Sequence, residues 1–228
     1  MLPVVGLSSA RVAALAALLD DDECERNRAY SRPAVRQRDA VCRGLLRELL
    51  SRYLGIAPGD IALDRSEHGK PRLLNVHSDL AFNYSHSRDH VAYAFCHGAD
   101  IGVDIEFTGR RASALGVSRG YFSQQEYQAL ASLSPDEQQQ RFFHLWTLKE
   151  AYLKARGEGV FVGLDHFRFE LGAGESPEVE IHFAAGVDDF PQHWQFHSMT
   201  FASGYCLGLA LRRAGRPAYK LELMQPGV

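Results

Sequence analysis

Twice along this chain a long helical pattern, closed by a glycine, gives way to short strand-like segments. That order constrains the fold more than any single motif. The first helix is expected over 34–54, with Val41, Leu45 and Leu49 on one line and Leu46 and Leu50 beside it, and Gly55, Pro58 and Gly59 end it. The second runs from about Asp136 to Ala155 and stops at Gly157. After the first come Ile61–Leu63, a Gly69-Lys70-Pro71 turn, Ala81–His86, Val91–Cys96 and Ile101–Phe107. After the second come Phe167–Leu171, Val179–Phe183, Trp194–Phe201 and Tyr205–Leu211. Shorter helices are expected from Ala10, behind Ser8 and Ser9, and around Ser123–Ser132. Phe82–Phe95 compares only loosely with Phe196–Leu209, so the order of elements repeats rather than the letters. This predicts an α+β fold of two similar halves, 1–103 and 104–228, forming a pseudo-dimer with the active site in the crevice between them.

A chain of 228 residues with 46% apolar residues can bury the cores this requires. The net charge of −3 argues against a nucleic-acid-binding surface but leaves room for a local basic pocket. Cys24, Cys42, Cys96 and Cys206 form no metal-binding pattern, which fits idle thiols in a reducing compartment. The apolar start, 2–19, lacks a basic leader, is interrupted by Arg11, and is followed by acids where small residues should stand. With no run of about 20 apolar residues either, a cytoplasmic protein without a membrane span is expected.

The segment Ile101–Phe107 alternates cleanly, placing Gly102, Asp104 and Glu106 on one face. Two acids on one face of a strand repel each other, and a hard cation would reward the arrangement. An edge strand with a solvated acidic face is the other reading. The segment Trp146–Gly157 is helical, with one apolar stripe through Leu145, Leu148, Ala151, Tyr152 and Ala155 and a second patch at Trp146 and Leu153. A helix apolar on two sides has protein on two sides, so Lys149, Glu150 and Lys154 are expected to line a cleft. A surface Glu150–Lys154 pair is the plainer alternative. Taken together, the two segments offer three carboxylates for a cation and two lysines for phosphate, the parts of a metal-assisted phosphate-transfer site. The arginines 26, 28, 32, 36, 38 and 43 suit phosphate binding or a solvated helix face alike.

In chain order, Gly69-Lys70-Pro71, Asn83-Tyr84-Ser85-His86-Ser87, Gly102-Val103-Asp104-Ile105-Glu106 and Trp146-Thr147-Leu148-Lys149-Glu150-Ala151-Tyr152-Leu153-Lys154 resemble the successive signatures of 4′-phosphopantetheinyl transferases. The closest type is the large, single-chain, surfactin-synthetase-activating one. The resemblance implies transfer of phosphopantetheine from coenzyme A to a serine of an apo acyl or peptidyl carrier protein, releasing adenosine 3′,5′-bisphosphate. It implies Mg²⁺, or alternatively Mn²⁺, on Asp104, Glu106 and Glu150, with Glu150 and Lys154 as catalytic residues. Lys149 and Lys154 would meet the pyrophosphate. Lys70, Pro71, Ser85 and His86 would meet the nucleotide end, and Arg26, Arg28 and Arg43 the 3′-phosphate, where the family often has lysines. Tyr121, Phe122 and Tyr127 resemble its carrier-facing segment, and a core role for them is equally open. It further implies a monomer with pseudo-twofold symmetry. Two rivals stand beside this reading: a metal-dependent nuclease, and a coenzyme A or carrier-binding module without chemistry.

Overall fold

In the computed structural model one unit of a strand, three helices and two hairpins occurs twice in succession; residues 1–67, 69–74, 77–109, 113–157, 163–172, 174 and 177–224 are described. The first copy comprises β1 (Leu2–Pro3), α1 (Ser9–Ala16), α2 (Asp21–Arg28), α3 (Pro33–Leu54), β2 (Leu63–Arg65), β3 (Pro71–Leu73), β4 (Leu80–Ser87) and β5 (His90–His97). The second comprises β6 (Ile101–Phe107), α4 (Ala114–Tyr121), α5 (Gln124–Ala131), α6 (Pro135–Arg156), β7 (Phe167–Leu171), β8 (Val179–Phe183), β9 (Trp194–Phe201) and β10 (Tyr205–Arg212). Their antiparallel sheets have matching orders, β1-β5-β4 and β6-β10-β9, each with a separate two-stranded hairpin, β2–β3 or β7–β8. This is the expected α+β pair of halves. The expected junction at 103/104 falls inside β6, which pairs along its length with β10.

The copies agree in detail. Both long helices span 22 residues, start with proline in the first turn, where its missing N–H costs nothing, and stop at a left-handed glycine, Gly55 (φ 68°) or Gly157 (φ 70°). Helices α2 and α5 each open on a capping box, Asp20 with Glu23 and Ser123 with Glu126. From these boxes a buried carboxylate reaches a buried cation on the long helix. Arg47 donates to Glu23 (2.8 Å) and to the carbonyls of Pro58 (3.2 Å) and Ile61 (2.6 Å). In the second copy Lys149 pairs with Glu126 (2.9 Å) and donates to the carbonyls of Leu164 (2.6 Å) and Phe167 (2.7 Å). Each cation pins its helix to the chain that leaves it. The letters follow suit: Arg47-Glu48-Leu49-Leu50-Ser51-Arg52 sits where Lys149-Glu150-Ala151-Tyr152-Leu153-Lys154 sits in the second copy.

Helix α3 lays Leu46 and Leu50 against Leu80 and Phe82, and Val41 against Val91. Helix α6 lies on β6 and β10 with Phe143, Leu148, Ala151 and Tyr152 fully excluded from water, each large side chain contributing about 1.5–3 kcal/mol. Two glycines let it lie so close. A Cβ on Gly102 would stand 2.1 Å from the Ala151 carbonyl oxygen, and one on Gly208 2.4 Å from the Thr147 backbone. The helix backbone therefore rests directly on the strands, and Glu150 and Lys154 are held over the polar face of β6.

Beneath α6, His144 is buried with Nδ1 2.6 Å from Ser198 Oγ and Nε2 3.2 Å from Thr200 Oγ1. Burial, and secondarily Arg141, lower its pKa from 6.5 to about 4. The unfolded chain takes up this proton below about pH 6.5 and the folded chain only near pH 4, so the contribution is complete above 6.5 and is lost as the pH falls between them. About 3 kcal/mol is at stake. Urea unfolding at pH 7.5 and pH 5 should show about 2 kcal/mol of that loss in the wild type and a much smaller one in His144→Gln.

The halves meet where β4 runs beside β6, joined through side chains. Asn83 Oδ1 accepts from the Val103 N–H (2.9 Å), the Ser85 hydroxyl donates to Asp104 Oδ1 (2.7 Å), and the Ser87 hydroxyl donates to Glu106 Oε2 (2.8 Å).

Candidate active site

Period-2 alternation in β6 turns Ile101, Val103 and Ile105 into the core and Asp104 and Glu106 towards α6. Helical spacing of four brings Glu150 and Lys154 over the same spot. Lys154 Nζ stands 2.6 Å from Asp104 Oδ1 and 3.0 Å from Ser85 Oγ, a contact between a helix of one half and a strand of the other. Glu150 is partly buried; loss of water first, then Asp104 and Glu106, raise its carboxyl above the ordinary range, against the pull of Lys154. Asp104, Glu106 and Glu150 thus bring three carboxylates to the spot that Lys154 reaches.

The donor set suits a divalent cation. Asp104 Oδ2 is buried without a hydrogen-bond partner, an acceptor whose desolvation a cation would offset. The three acids are not gathered as a finished ligand shell, however. Among the described residues, the one trio with ligand atoms within 4.8 Å of one another is Glu170, Glu180 and His182 on the exposed β7–β8 hairpin. At Asp104 the ammonium of Lys154 takes up the place of a counter-charge.

The other expected residues divide. His86 is exposed next to Ser85, and the surrounding protein, then Arg38 and Lys154, hold its imidazole below its usual pKa. Lys70 reaches from the β2–β3 turn to the Ala155 carbonyl (2.9 Å), tying the first half to the C-terminal turn of α6. There it helps line a cleft of about 400 Å³ with Pro71, Phe82, Asp100 and Arg156. Pro71 also borders a narrower hollow with Arg26, Arg43, Arg65 and Tyr84. Arg28 is exposed on α2 and is not part of that hollow, and the Arg43 guanidinium already serves Asp39 (2.9 Å) and Glu23 (3.4 Å).

The expected pyrophosphate contact from Lys149 needs correction. Its ammonium is fully buried and has three protons; Glu126, Leu164 and Phe167 take all three, and the rings of Phe122 and Phe167 cover it. No donor is left for a phosphate. Tyr121 is exposed, whereas Phe122 is core, stacked on Phe142. Sequence reasoning missed Asn83 and Ser87 as partners of β6, although their alternation with Ser85 already puts all three on one face of β4. It also missed Glu126, for which the Ser123-x-x-Glu126 capping box was the available signal.

Comparison with known proteins bears on the family. A family model described as the 4′-phosphopantetheinyl transferase superfamily matches residues 100–210, and one described as 4′-phosphopantetheinyl transferase, N-terminal, matches residues 8–97. The chain is 41% identical over 149 residues to the 4′-phosphopantetheinyl transferase HetI of Nostoc sp., covering 64% of this chain and 62% of that one. It is 35% identical over 137 residues to the 4′-phosphopantetheinyl transferase Sfp of Bacillus subtilis, covering 60% and 59%. A putative 4′-phosphopantetheinyl transferase of Synechocystis sp. is 35% identical, with 65% and 61% covered. The matched segments thus span about six-tenths of these relatives' lengths, somewhat less than two thirds. The two family models abut at the turn ahead of β6 and together take in both structural copies, with Asp104, Glu106, Glu150 and Lys154 inside the second: the chain belongs to the 4′-phosphopantetheinyl transferase superfamily.

Proposed function

We propose that this chain moves 4′-phosphopantetheine from coenzyme A to a serine hydroxyl of an apo carrier protein. The observation that carries the reading is the convergence, at the seam between the halves, of Asp104, Glu106 and Glu150 with Lys154 and Ser85. The serine oxygen forms a bond to the β-phosphorus of coenzyme A as the bond to the bridging oxygen breaks, and adenosine 3′,5′-bisphosphate leaves. Asp104, Glu106 and Glu150 hold a divalent cation, Mg²⁺ or Mn²⁺, which when bound neutralises charge on the pyrophosphate.

The chain's own residues supply the rest. Lys154, now on Asp104, is the donor a phosphate oxygen would attract, and its four-carbon stem allows the move. Glu150, with its raised carboxyl, is suited to accept the serine proton. His86 and Ser85 face the nucleotide end, and Lys70 and Pro71 border the cleft that receives it. Arg26, Arg28 and Arg43 are proposed for the 3′-phosphate, Arg43 and Arg26 with the support of a shared hollow. The same reading gives a cytoplasmic monomer, with its halves joined at the turn between β5 and β6. Among the described residues no helix is long and apolar enough to cross a membrane.

Purified chain, Mg²⁺, coenzyme A and a panel of apo acyl and peptidyl carriers should give a carrier mass increase of one phosphopantetheine. Cleavage of DNA without any such increase would favour a nuclease, and coenzyme A binding without transfer to any carrier would favour a binding module.

A further inference from the structure

We propose that Ser87 is a positioning residue for the Glu106 carboxylate, an inference that rests on the cation site of the preceding reading. Ser87 is the last residue of β4 and belongs to the first half; Glu106 belongs to the second. The Ser87 hydroxyl has one proton, which it gives to Glu106 Oε2 at 2.8 Å, and its oxygen accepts the Phe107 N–H at 3.1 Å. The proton and one lone pair are thereby used, and one hydroxyl fixes the backbone and the side chain of neighbouring residues on β6.

The hydroxyl is itself held. The turn after Ser87 places Arg88 at φ 48°, with its guanidinium 4.3 Å from the centre of the Phe107 ring. The end of β4 is therefore clamped to the end of β6 by a hydrogen-bonded serine and a stacked arginine. Glu106 needs such a clamp. It is partly exposed, near a strand end, and carries three rotatable side-chain bonds whose freezing costs on the order of 1.5–2 kcal/mol. Mg²⁺ tolerates little deviation from octahedral geometry, so a ligand already oriented binds it more tightly than one that must be ordered.

Asn83 supplies the contrast. It sits in the same seam, four residues earlier on the same face of β4, and accepts the Val103 N–H at 2.9 Å, but among the described residues no bond joins it to a carboxylate. Seam adhesion is common to Asn83 and Ser87; carboxylate orientation is particular to Ser87 here and, through Asp104, to Ser85.

The test is Mn²⁺ binding to the full chain, with metal alone as the probe, followed by the electron paramagnetic resonance signal of free Mn²⁺ alongside the thermal midpoint. Ser87→Ala should weaken Mn²⁺ binding about 10–100-fold, and Ser87→Thr, which keeps the hydroxyl, should bring it back to within about 3-fold of wild type. Asn83→Ala should lower the thermal midpoint and leave Mn²⁺ affinity where it was. Unchanged affinity in a folded Ser87→Ala variant overturns the proposal, as does equal weakening by Asn83→Ala. Asp104→Asn separates the two levels. If it abolishes Mn²⁺ binding while Ser87→Ala does not weaken it, only the role of Ser87 falls. If wild type binds no Mn²⁺, or Asp104→Asn binds it undiminished, the cation site falls and the role of Ser87 with it.

Discussion

Asp104→Asn should reduce phosphopantetheine transfer at least about 10³-fold, because a cation ligand contributes several kcal/mol to the transition state. The side chain keeps its shape, so Ser85 and Lys154 retain a neighbour at Asp104. What disappears is one negative charge next to Glu106 and Glu150. Asp104 is the largest charged influence raising the Glu150 carboxyl, so without metal its neutralisation relieves repulsion. Against this stands the loss of the Lys154–Asp104 pair, so the variant should unfold close to metal-free wild type while losing its activity. Carrier mass after reaction and the thermal midpoint in a chelator measure the two effects. Full transfer by Asp104→Asn would remove the metal assignment.

Lys149→Met is expected to act oppositely, on stability rather than on substrate. Removing one member of a buried ion pair leaves Glu126 charged and buried, at a cost of about 3–5 kcal/mol. In a chain of this size that is roughly 6–20 °C in thermal midpoint. Glu126 would still accept from Ser123 and from the Phe169 N–H, but two carbonyls would lose their donor. Lys149→Arg should recover most of the loss, because Arg47 already performs the same task in the first half. A Lys149→Met protein as stable as wild type, but with weakened coenzyme A binding, would return Lys149 to the substrate.

Much of this was legible in the sequence, for identifiable reasons. Long helices with glycine stops announce themselves by period and by the backbone glycine alone adopts readily, so 34–54 and 136–155 were foreseen to within two residues at either end. Local spacing sufficed likewise for Asp104 and Glu106 on one face, and Glu150 and Lys154 one helical turn apart. Helix α4 was hidden because Gly116 and Gly120 dilute its propensity, and α2 because it is almost wholly polar. The direction of Lys149 was not legible at all. Spacing puts it between two apolar stripes, and only the tertiary fold determines that the neighbour there is Glu126 rather than a phosphate. The β4–β6 seam joins residues about 20 apart through side chains, which no periodicity reports.

The repeat of the unit also gives the molecule a built-in reference. Glu48 and Glu150 stand on the same rung of equivalent helices, each directly after a buried cation that pins the helix. Glu48 meets Arg11 in a partly exposed pair (2.6 Å), and the residue of β1 that corresponds by register to Glu106 is Leu2, so the described residues form no second acidic trio there. Tolerance to change should therefore be lopsided on a symmetric frame. The first half can change at Glu48 and Leu2 without touching the chemistry, while the matching Glu150 and Glu106 of the second half are confined by it.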